Sequence, residues 1–158
     1  MDVSIEDFLR RGVFGELSLG ATEQDVVRIL GAPDRFADFR KPVPLKIAGY
    51  NAVEMTYIGG GLVGISVDFP VRDRRGSSSI LFPGYASSEQ ASVEDFNKML
   101  TAWRIPYLVD QPRSFPEAPV LATGDRGTRV FFVKNRVSSI ALTDDDAFKV
   151  AGRDSATK

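Results

Sequence analysis

The chain of 158 residues contains no cysteine and no histidine. Without cysteine there is no disulfide, no thiolate metal site and no thiol nucleophile, and without histidine the commonest general base and transition-metal ligand are missing. The familiar catalytic triads are thereby excluded. An enzyme built from this sequence would depend on carboxylate, Lys, Tyr, Ser or Thr, or on a hard metal held by oxygen. An excess of charge is absent too. The 20 basic and 21 acidic residues leave a formal charge of -1, so no general attraction to nucleic acid or an anionic membrane is expected. No apolar run approaches the roughly 20 residues that span a bilayer. The opening Met1-Asp2-Val3-Ser4-Ile5-Glu6-Asp7 is acidic where a signal peptide would be basic and then apolar. These features predict a cytoplasmic protein with no cofactor, no metal, no nucleic-acid partner and no membrane contact.

What is present is enough apolar side chain, including 11 Phe, to build the core of one domain. Ser4 is placed to cap a short helix whose Ile5, Phe8 and Leu9 share a face. Thr22-Glu23-Gln24-Asp25 opens a second, with Val26, Ile29 and Leu30 as its apolar stripe and Gly31 and Pro33 as its stop. After a Pro-rich, charged loop over residues 34–44 the period changes to two. Leu45, Ile47 and Gly49, then Val53, Met55 and Tyr57, then Val63, Ile65, Val67 and Phe69 read as three strands. Gly59-Gly60-Gly61 reads as a hairpin turn, because a strand follows where a phosphate-cradling loop needs a helix. Residues 72–79 read as a polar linker or long hairpin tip, with Ile80 and Phe82 opening a further strand.

The pattern then begins again. Ser92-Val93-Glu94-Asp95 caps a helix carrying Phe96, Leu100 and Trp103, and strands are expected at 107–110, 120–123, 128–133 and 136–142, with Lys134-Asn135 as a turn. Thr22, Val26 and Leu30 map onto Ser92, Phe96 and Leu100 at an offset of 70, and Leu62, Ile65 and Val67 map onto Val137, Ile140 and Leu142 at an offset of 75. The expected architecture is α+β: two tandem helix-plus-antiparallel-strand repeats, residues 1–75 and 76–150, followed by a flexible tail over 151–158. One such unit buries little alone, so the two should join into one continuous curved antiparallel sheet with the helices packed on one face.

The run Gly20-x-Thr22-x-x-x-Val26-x-x-x-Leu30-Gly31-x-Pro33 followed by strands resembles the repeat unit of the beta-lactamase inhibitor protein and of the small barrel-assembly lipoproteins of the outer membrane. That resemblance implies a fold of this kind and a sheet face or loops that bind another protein. Unlike the secreted members, this sequence carries no Cys to bear a lipid, and its acidic opening is not expected to act as a signal peptide. Tandem units of this appearance also resemble small cytoplasmic proteins of actinobacterial type, some similar to immunity proteins that neutralise a toxin domain.

Tyr57 and Trp103 fall on core-facing stripes, whereas Phe36, Phe39, Tyr85 and Phe115 fall in expected loops, where an exposed aromatic needs an explanation. With Arg40, Arg72, Arg74 and Arg75, whose planar guanidinium suits carboxylates and phosphates alike, they form the candidate partner-binding set. Asp144-Asp145-Asp146 is expected to be a solvated terminus, with capping of a last helix as the alternative, and Glu54 and Asp68 to be cross-strand surface charge. The expected function is a non-enzymatic protein-binding module, an inhibitor or toxin-immunity protein among the options, acting as monomer or homodimer. The other reading is a small-ligand-binding protein or carboxylate-dependent hydrolase using the concavity between sheet and helices.

Overall fold

Each of the first three helices starts where a hydroxyl holds its free amide. Ser4 accepts from the Asp7 N–H at the start of α1 (Ile5–Arg11) and Ser92 from the Asp95 N–H at the start of α3 (Val93–Ala102). At α2 (Glu23–Leu30) the exchange is reciprocal, the Asp25 carboxylate taking the Thr22 N–H in return. The computed structural model describes residues 1–40, 43–69, 80 and 91–156, with the backbone alone beyond residue 152.

The strands are β1 (Arg35–Phe39), β2 (Leu45–Tyr50), β3 (Val53–Ile58), β4 (Gly61–Asp68), β5 (Tyr107–Val109), β6 (Val120–Thr123), β7 (Thr128–Val133) and β8 (Arg136–Thr143). They form one antiparallel sheet in the order β1-β2-β3-β4-β8-β7-β6-β5, an α+β architecture in which each consecutive run of four strands contributes half and β4 meets β8 at the centre. The β3–β4 and β7–β8 hairpins have the same pairing. Met55↔Ile65 recurs as Val130↔Ile140, and the register irregularity at Thr56/Tyr57 recurs at Phe131/Phe132, every position 75 residues on. Both turns place two residues at positive φ, Gly59 and Gly60 in one and Lys134 and Asn135 in the other, the geometry of tight hairpins. The cap residue of each neighbouring helix bridges the start of the last strand, Thr22 to Gly61 and Ser92 to Arg136.

The alternation of side chains sorts the sheet into two faces. One carries Val53, Met55, Tyr57, Val130, Phe132 and Ile140, all fully or nearly fully buried. Against it lie α1, whose Phe8 and Leu9 carbonyls accept from the buried hydroxyls of Thr128 and Thr123, and α3, whose Phe96 ring meets Phe132 edge-on at 5.7 Å. Burying a phenylalanine fully is worth about 2 kcal/mol, so this face holds most of the folding energy.

Three expectations need correction. Residues 35–39 form the edge strand β1 where a loop was expected, because the strand is exposed at every position and its sequence has no alternation to read. The expected tail at 151–158 is helical as far as Ala156, the end of α4 (Asp145–Ala156). That helix also departs from the expected single helical layer. Its Asp145 reaches Arg129, a β7 residue that alternates away from α1, so α4 starts on the outer face. The expected linker at 72–79 and Phe82 of the expected further strand lie outside the described residues, while Ile80 is buried in the core.

Candidate protein-interaction surface

The outer face is organised by charge. Arg35 on β1 crosses Gly49 of β2 to reach Glu54 on β3 at 2.8 Å. A Cβ on Gly49 would sit 2.6 Å from the Arg35 side chain, so any larger residue there would displace the arginine from this path. Burial, with the Glu54 charge adding to it and Arg35 opposing it, pushes the Asp68 carboxyl above the usual range.

In the other half Arg129 lies between two carboxylates, 3.1 Å from Asp110 and 2.6 Å from Asp145, and Arg113 contacts the same two at 3.2 and 3.1 Å. Burial works against the Arg129 charge, but the bonds and charges of Asp145 and Asp110 outweigh it and hold its pKa above the ordinary value. The ring of alternating charge ties the end of β5, the 3-10 turn Gln111–Arg113 and the start of α4 to β7. Asp144 accepts from the Asp146 and Ala147 amides at 3.1 and 3.0 Å, and Asp146 pairs with Lys149 at 3.0 Å. The run therefore starts a helix, as the alternative reading had it; Asp144 and Asp146 are exposed as expected, and Asp145 alone is drawn into the ring. Among the described residues no group of three acidic side chains is placed to hold a metal ion.

Phe36 and Phe39 occupy the free edge of the sheet, about half exposed at 51% and 48%. Their registers, Phe36 opposite Ala48 and Phe39 opposite Leu45, direct them to opposite faces. Lys46 stands 4.3 Å over the Phe36 ring while pairing with Glu23 of α2 at 2.5 Å. Arg40 follows directly and is exposed. Phe115, 71% exposed in the β5–β6 connection, belongs to the opposite margin, so the structure separates it from the β1 residues by the width of the sheet. Arg72, Arg74, Arg75 and Tyr85 lie outside the described residues.

Sequence reasoning placed a strand at 107–110 but did not find that its apolar Tyr107, Leu108 and Val109 stand exposed at 40, 64 and 43%, nor the Arg129 ring. The uncharged stretch after Pro106 was a signal for the first; the second joins residues too far apart in the chain to leave one. A recess of about 730 Å³ opens beside Thr22, Glu23, Val27 and Gly60, and the carboxylate it offers, Glu23, is the one engaged by Lys46. No family model matches this chain, and no curated protein or solved structure does either.

Proposed function

We propose that this protein is a non-enzymatic protein-binding module of the inhibitor or immunity type, built from two copies of one helix-plus-four-strand unit. The 75-residue recurrence of pairing, register irregularity and turn supports the two-copy origin, and the likeness of the Gly20–Pro33 motif to the repeat of the beta-lactamase inhibitor protein points the same way. The observation that carries the binding role is the half-exposed Phe36 and Phe39 pair on the edge strand β1, flanked by Arg40. Aromatic and arginine side chains dominate protein contacts when a partner desolvates them, and an unpaired strand offers backbone donors and acceptors beside them. Phe115 supplies a second contact at the other margin.

A photocrosslinking residue placed in turn at positions 36, 39 and 94, in the cell of origin, tests the reading. Position 94 lies on the solvent side of α3 and serves as the control. A discrete adduct common to 36 and 39 and absent at 94 is the expected result. No adduct, or the same products at all three positions, would overturn it.

A further inference from the structure

The two margins of the sheet differ in a way that assigns them different partners. On β5 the ladder bonds Asp110 N–H to Val120 and Gly124 N–H to the Pro106 carbonyl, so the inward groups belong to the even-numbered positions. The N–H and C=O of Tyr107 and Val109 therefore point outward, unused among the described residues, from a strand without a charged side chain. We propose that β5 is a self-recognition edge, through which two copies of this chain join antiparallel into one continuous sheet across a two-fold axis.

The strand is complementary to itself in the register that pairs all three of its residues across such an axis. A two-fold perpendicular to the sheet keeps each face on its own side, so opposed residues must share a face. Tyr107, opposite Thr123 and so on the helix-covered face, then stands against Val109 of the other copy, where both outward backbone pairs exchange hydrogen bonds. Leu108, 64% exposed on the outer face, meets its own copy at the axis. No like charges are opposed. The same operation on β1 sets Arg35 against Phe39 and Phe36 against Asp38, pressing charged groups onto rings, and Arg35 is already engaged with Glu54. Edge strands are ordinarily blunted by charge; β1 follows that rule and β5 does not.

A three-residue strand makes a small interface, so association falls in the weak regime, between micromolar and millimolar. Sedimentation equilibrium on the purified full chain should give a mass that climbs from 17.3 kDa toward twice that value across this range. Val109→Pro removes an outward N–H that the β5–β6 ladder does not use and should leave a monomer at every concentration with an unchanged circular dichroism spectrum. Should that variant fail to fold, Leu108→Lys, which opposes two ammonium groups at the axis, should be monomeric too. A wild-type chain that stays monomeric at millimolar concentration, or variants that associate as it does, would overturn the proposal. The test uses the chain alone, so its failure leaves the β1 contact untouched.

Discussion

A phenol oxygen buried without a partner costs more than the same ring without its hydroxyl. Tyr57 and Tyr50 are in that position, 2% and 0% exposed, with neither hydroxyl hydrogen-bonded among the described residues. Burial pushes both phenols up; Tyr50 and Glu23 add to the shift at Tyr57, and Glu23 and Asp34 to that at Tyr50. Both therefore stay neutral at physiological pH. Tyr57→Phe keeps the ring in the core and removes the orphaned group, so the unfolding free energy in urea should hold or rise by about 1 kcal/mol. A fall of that size would show that the hydroxyl has a partner in solution.

At the scale of the element, the Arg129 ring does what no single strand does for itself. β5 has three residues and every one of them is exposed, so little burial holds it. Its neighbour Asp110 is anchored instead, with only 10% of its side chain exposed against 15% for Arg129. Arg129→Ala leaves the largely buried Asp110, and Asp145, to Arg113 alone and should cost about 2 kcal/mol in urea unfolding. A loss under about 1 kcal/mol, as for an exposed ion pair, would mean that the ring contributes no more than surface charge. The same contrast explains what could be read in the sequence. α2 and α3 announce themselves by hydroxyl caps and apolar stripes, and β3, β4, β7 and β8 by alternation, because each of these elements buries one side. β1 buries nothing and leaves no such trace. The ring was illegible because Asp110, Arg129 and Asp145 stand 16 and 19 residues apart and the sheet alone brings them together. The charges of α4 gave a solvated terminus as the simpler reading.

For the whole molecule, the sheet order places the buried hairpins β3–β4 and β7–β8 at the centre and leaves the ends to β1 and β5. Stability is thus concentrated in the middle, and the margins are available to other chains. Apolar surface is retained there at Phe36, Phe39, Leu108 and Phe115 although the fold does not bury it. A protein whose only task was to fold would gain solubility by losing those side chains. The most direct measurement is therefore the unfolding free energy of the combined variant Phe36→Ala, Phe39→Ala and Phe115→Ala. The account predicts a loss of about 1 kcal/mol, most of it from the Lys46 contact over the Phe36 ring. A loss of about 3 kcal/mol or more, the cost of truncating a core phenylalanine, would place at least one of these rings in the fold and contradict the claim that they are kept for a partner.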